Sequence, residues 1–135
     1  MPTVSTEYLG HLRTQAKHVA SGNTIITDAP LDNHGKGEAF SPTDLTSASL
    51  GSCMMTIMGI VAERENLDLT GTAFEVTKTM AADPRRIYKI EVNFKIKSNV
   101  ELSEAQKQKL QNAARTCPVA LSLHPDIEQL VTFEF

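Results

Sequence analysis

The 135-residue chain has no tryptophan, only two tyrosines and five phenylalanines, and only two cysteines. So few cysteines exclude a disulfide-stapled mini-scaffold. An apolar core must hold the fold instead, and a chain of this length buries roughly two-thirds of its unfolded surface without metal or disulfide. Basic residues are not in excess: 13 Lys and Arg stand against 16 Asp and Glu, for a net charge of −3. That balance gives no basic face for nucleic acid, and no polybasic run marks a lipid-binding surface. Met1 to Tyr8 carries Glu7 and no apolar segment, so no secretory leader is expected. Internal repeats, low-complexity tracts and a linker are also missing, and a single domain over residues 1–135 is expected. Two cysteines in such a chain point to a cytoplasmic protein whose thiols are reduced, catalytic or redox-active rather than permanently bridged.

The most informative absence is charge between Leu45 and Ala62. Leu50, Cys53, Met54, Ile57, Met58, Ile60 and Val61 fall on all sides of a helix there, which predicts a core helix buried all round. Thr46, Ser47, Ser49, Gly51, Ser52, Thr56 and Gly59 dilute the stretch below the ~20 predominantly apolar residues of a membrane span, so no membrane insertion is expected. The start is marked by Ser41 as N-cap, Pro42 at the first helical position and Asp44 three residues after the cap. From Pro42 to Arg64 the helix would be roughly 34 Å long. Gly51 and Gly59 each cost about 1 kcal/mol against alanine, which points to close approach by a neighbouring element.

Around this helix the pattern is mixed. Thr3–Tyr8, Leu12–Val19 and Thr24–Thr27 read as three short strands separated by Gly10 and by Gly22-Asn23. Asp28 to Ala39 is rich in Gly, Asp, Asn and Pro and reads as a loop. Phe74, Val76 and Met80, then Tyr88, Ile90, Val92, Phe94 and Ile96, alternate with polar residues across the Asp83-Pro84 turn, which predicts a long antiparallel hairpin. Ser103 and Gln106 open a second helix with a capping box. Pro118 ends it near Cys117, Pro118–Leu123 starts a short third helix, and Leu130–Phe135 closes the chain as a strand. The order β-β-β-α-β-β-α-α-β defines an α+β protein.

Cys53 and Cys117 lie 117 − 53 = 64 positions apart, outside any short redox motif. The four histidines (His11, His18, His34, His124) show no ligand spacing with either cysteine, so neither a metal nor another cofactor is expected. Cys53 has two readings: a small buried hydrophobe or a nucleophile. The second needs a thiolate. Cys53 lies about three turns into its helix, beyond the reach of the dipole, so a cationic neighbour must stabilise the charge. Arg13, Arg85, Arg86 and Arg115 are the candidates. Cys117, at a helix break, could meet a second thiol or could close the core of its helix.

Two segments carry a family resemblance. Ser41-Pro42-Thr43-Asp44-Leu45 through Gly51-Ser52-Cys53, with the apolar helix that follows, resembles the OsmC/Ohr family of osmotically inducible and organic-hydroperoxide-resistance proteins. Ala114-Arg115-Thr116-Cys117-Pro118-Val119 resembles its second-cysteine motif. The resemblance implies antiparallel sheets wrapped around long central helices in an intertwined homodimer. It also implies a thiol peroxidase: Cys53 attacks an organic hydroperoxide, Cys117 resolves the product to a disulfide, and a dithiol, in this family often a lipoyl group, reduces it. Arg13 would pair with the thiolate, although His11 could occupy that place. Thr43 stands where the characterised peroxidases carry glutamate, and Asp44 either takes over that role or only caps the helix. The departure leaves two further readings, a binding protein for an apolar ligand and a peroxide-sensing redox protein.

Overall fold

The computed structural model describes all residues from Met1 to Phe135. The chain divides into two compact units, Met1–Thr46 and Ser47–Phe135.

The first unit is a meander of β1 (Val4–Gly10), β2 (Arg13–His18) and β3 (Thr24–Asp28), antiparallel in that order. Gly10, His11 and Leu12 all take positive φ in the β1–β2 turn, and glycine bears that conformation without a Cβ penalty. The expected loop after β3 contains one turn of 3-10 helix at Leu31–Asn33. It returns to the sheet, where the Asp28 amide donates to the Phe40 carbonyl at 3.0 Å. The buried side chains of this unit are all polar: Thr27, Asp28 and Ser41. Val4, Tyr8, Leu9, Leu12, Ile25, Leu31 and Phe40 are exposed.

The central helix α1 spans Pro42–Arg64, the limits its end signals predict. Its first turn is closed by a reciprocal pair: the Asp44 amide donates to Ser41 Oγ, and the Ser41 amide donates to Asp44 Oδ2, both at 3.0 Å. That capping box satisfies two of the amides the helix leaves open at its start, and Pro42, which has no N–H, removes a further one. Within the single chain α1 is not buried all round. Its buried positions are Ser47, Leu50, Gly51, Met54, Met58 and Ala62, one stripe at three- and four-residue spacing. Ile60 remains 42% exposed, and Cys53, Met55, Ile57 and Val61 are only partly buried. Apolar character alone marks Cys53, Ile57, Ile60 and Val61 as interior, because it does not say what covers each one.

In the second unit α1 is followed by β4 (Ala73–Ala81) and β5 (Arg86–Lys95), the expected antiparallel hairpin. Helices α2 (Glu104–Arg115) and α3 (Pro118–Ser122) lead to β6 (Glu128–Glu134). Where antiparallel sheets were expected throughout, β6 lies parallel to β5. The α2–α3 crossover returns the chain to the same end of the sheet, and parallel neighbours require such a connection. Register places Phe74, Phe94 and Phe133 side by side on one face, with ring centroids 5.2 and 5.4 Å apart. These rings join Leu50, Met54, Met58, Ile90, Val92, Leu110, Ala114 and Cys117 in one apolar cluster.

At Gly51 the sheet lies close against the helix. A Cβ there would sit 2.8 Å from Val76 Cγ2 and 2.9 Å from Phe74 Cε2. Gly59, expected to serve the same purpose, has nothing near its Cβ position within the chain. Gly51→Ala is therefore expected to destabilise the fold by about 1–3 kcal/mol through overpacking, despite the gain in helix propensity. Urea unfolding of the two proteins measures this, and an unchanged midpoint would count against the close approach.

Candidate functional site

Helix periodicity sets Cys53 on the edge of the buried stripe. Positions i+4 and i+7 share a flank with position i, so Ile57 and Ile60 line the same edge as Cys53, while Met54 points into the core. Cys53 is partly exposed and Cys117 is fully buried; both are free thiols. Cys117 occupies the junction of two helices. Thr116 ends α2, and Cys117 is the N-cap of α3 with Pro118 at the first helical position. Its extended backbone, φ −67° and ψ 153°, is the geometry a residue before proline adopts. Its Sγ accepts a hydrogen bond from the Ala120 amide at 3.4 Å.

The two cysteines, 64 positions apart in sequence, lie near enough for Cys53 to act on the ionisation of Cys117. Burial pushes the Cys117 thiol above its ordinary value. The Ala120 amide opposes this. The hydrogen bond and negative charge of Cys53 raise Cys117 further, and the Val119 amide again pulls the other way. A charged Cys53 therefore keeps Cys117 protonated. Without that charge, burial, the largest cause, still holds Cys117 above its ordinary value.

The candidate cations are placed as follows. Arg115 lies over the Phe133 ring, 5.3 Å from its centroid. Arg85 is exposed. Arg86 Nη2 is buried without a hydrogen-bond partner. Arg13, in the first unit, is held by Asp28, a carboxylate with no distinguishing mark in the local sequence. Asp28 is fully buried and accepts Arg13 Nε at 2.8 Å and Nη2 at 2.7 Å, a bidentate pair. It also accepts the Glu38 amide at 3.1 Å, and the Glu38 carboxylate reaches Arg13 at 3.7 Å. Asp28 reads in sequence as the first residue of a polar loop, and its partner is 15 positions upstream. Asp44 serves in the α1 cap, and Thr43 Oγ1 lies 3.2 Å from Ser41 Oγ in the same turn. No group of three His, Cys, Asp or Glu side chains is arranged to hold a metal ion. A depression of about 290 Å³ lined by Glu75, Asn93, Lys95 and Thr132 contains neither cysteine.

A three-stranded meander, a long capped helix, a mixed sheet and two helices whose junction carries a buried thiol define an α+β protein. The chain belongs to the OsmC-like protein family, whose model matches residues 35–129. A crystal structure from Psychrobacter arcticus, described as an osmotic stress induced and detoxification response protein, is 53% identical with a TM-score of 0.94, covering 99% of this chain and 96% of that one. An organic hydroperoxide resistance protein OsmC from Legionella pneumophila is 16% identical with a TM-score of 0.71, covering 100% and 98%. One from Elizabethkingia anophelis is 15% identical with a TM-score of 0.74, covering 99% and 96%. At such identities these two establish the fold alone. None of the curated proteins matches the chain in sequence.

The Arg13 guanidinium beside Asp28 holds its carboxyl below the usual range, against the opposing effect of burial. A carboxylate with a folded-state pKa below its unfolded value of about 3.9 contributes stability that is complete above that value and is lost as pH falls through the folded value. Asp28→Asn is thus expected to lower the melting temperature at pH 7 and to flatten its fall between about pH 4 and pH 2. Thermal unfolding of both proteins across that range measures the difference, and parallel curves would contradict the linkage.

Proposed function

We propose that the protein is a thiol-dependent peroxidase that reduces organic hydroperoxides in oxidative stress defence. The observation that carries this reading is the pairing of a partly exposed Cys53 on an apolar flank with a buried Cys117 whose ionisation it influences. The Cys53 thiolate attacks the O–O bond. A sulfur–oxygen bond forms, the O–O bond breaks, and the leaving alkoxide takes a proton and departs as alcohol. Cys53 is left as a sulfenic acid. Cys117 ionises and attacks that sulfur, forming the disulfide and expelling water. An external dithiol of lipoyl type restores both thiols. Ile57 and Ile60 beside Cys53 suit an apolar peroxide better than hydrogen peroxide. No cofactor takes part, and the cytoplasm, where thiols are kept reduced, suits the cycle.

The functional unit is a homodimer in this reading. The first unit buries no apolar side chain yet exposes Tyr8 at 63%, Ile25 at 50% and Phe40 at 57%, while α1 exposes Ile60. A small sheet without apolar burial is not stable on its own, and a second copy supplies the missing cover. Sedimentation equilibrium is expected to give twice the 14.8 kDa chain mass, and Ile25→Arg to shift it toward the monomer. A monomeric wild type would overturn the dimer.

Consumption of cumene hydroperoxide with excess dithiol tests the chemistry. Cys53→Ser is expected to reduce turnover by about 100-fold or more, to the uncatalysed background. Cys117→Ser should still consume one equivalent of peroxide, accumulate sulfenic acid at Cys53 and fail to form the internal disulfide. Equal turnover by wild type and Cys53→Ser would replace the peroxidase with a ligand-binding role.

A further inference from the structure

Access separates the two sulfurs. Cys117 is 0% exposed, while Cys53 on α1 is partly open. In thiol–disulfide exchange the incoming thiolate must reach one sulfur while the other leaves, so access selects the sulfur attacked. Resting on the peroxidase reading, we infer that the reductant attacks the Cys53 sulfur of the Cys53–Cys117 disulfide, and that Cys117 leaves onto the Ala120 amide.

The step balances as a two-electron exchange. One thiolate of the external dithiol forms a sulfur–sulfur bond to Cys53. The Cys53–Cys117 bond breaks, its electron pair stays on Cys117, and Cys117 takes up a proton from solvent. The second thiolate of the reductant then attacks the reductant's own sulfur in the mixed disulfide, and Cys53 departs as thiolate. The dithiol becomes a cyclic disulfide, and both protein cysteines are reduced.

The surroundings of Cys117 favour its release. The Ala120 amide already donates to Sγ at 3.4 Å. That amide is anchored independently of the sulfur: Gln129 Nε2 donates to the Ala120 carbonyl at 2.9 Å, and the Leu123 amide donates to the Val119 carbonyl at 3.1 Å. Neither bond involves Cys117, so the donor stays in place as the S–S bond breaks. Burial then returns Cys117 to the neutral thiol.

The test is made on wild-type protein oxidised with diamide, so it does not depend on peroxidase activity. Brief exposure to 2-mercaptoethanol, a monothiol that stops at the mixed disulfide, is followed by N-ethylmaleimide and peptide mass mapping. The expected product carries mercaptoethanol on Cys53 and maleimide on Cys117, in at least about tenfold excess over the reverse. Comparable labelling of both sulfurs, a preference for Cys117, or no internal disulfide after diamide would each overturn the inference. Hydroperoxide turnover tests the peroxidase reading separately.

Discussion

The contact between α1 and its sheet governs what the rest of the chain can do. Gly51 has no side chain, so Phe74 and Val76 lie against the helix backbone, and this approach fixes which stripe of α1 faces inward. With Leu50, Met54 and Met58 committed to the core, the helical repeat leaves Cys53 no choice but the edge. A thiol there is half-solvated and can be reached by a reagent, while its neighbours one and two turns on remain apolar. The phenylalanine ladder that presses on α1 also receives Arg115 over the outer ring. The same sheet therefore ties down α2, whose end delivers Cys117.

The two units are stabilised by different interactions. Residues 47–135 hold every buried apolar side chain of the protein. Residues 1–46 hold none, and their order comes from backbone ladders and from Asp28. Burying a lone carboxylate is costly, and losing its partner would leave the charge uncompensated. Arg13 and the Glu38 amide meet that requirement through three hydrogen bonds. One carboxylate thus ties β2 and β3 to the far end of the segment after Asp28. Specific polar pairing can fix a conformation in this way, but it cannot supply the apolar burial that the exposed Tyr8, Ile25 and Phe40 still lack.

Much of the fold was legible in local signals. Ser41 with Asp44, Ser103 with Gln106, and Cys117 before Pro118 set helix limits through backbone amides only three residues away, and such short-range chemistry is written directly in the chain. The alternation in β4 and β5 was equally local. What escaped was non-local. The apolar pattern of β6 is the same whether it runs parallel or antiparallel to its neighbour, so only the path of α2 and α3 decides it. The one-sided burial of α1 depends on what lies against each flank. Asp28 carries no mark that distinguishes a buried carboxylate from a loop aspartate. For the site, Cys53 and Cys117 could be named from their motifs, but their proximity depends on where α2 stops.

That stopping point explains why the two thiols are unequal. Pro118 forbids a helical Cys117, and the extended backbone that results turns Sγ back to cap the next helix. A cap must be close to its amides, and here it also lies in a packed core, so the same geometry that satisfies α3 removes Cys117 from water. Cys53 comes from the middle of a long helix, where all backbone amides are already paired and nothing draws the sulfur inward. One cysteine is therefore held by the backbone and the other is left at an edge. Desolvation keeps the first neutral, and a charge on the second reinforces that state. In the peroxidase reading proposed above, the more accessible sulfur is the one that meets peroxide and the buried one follows.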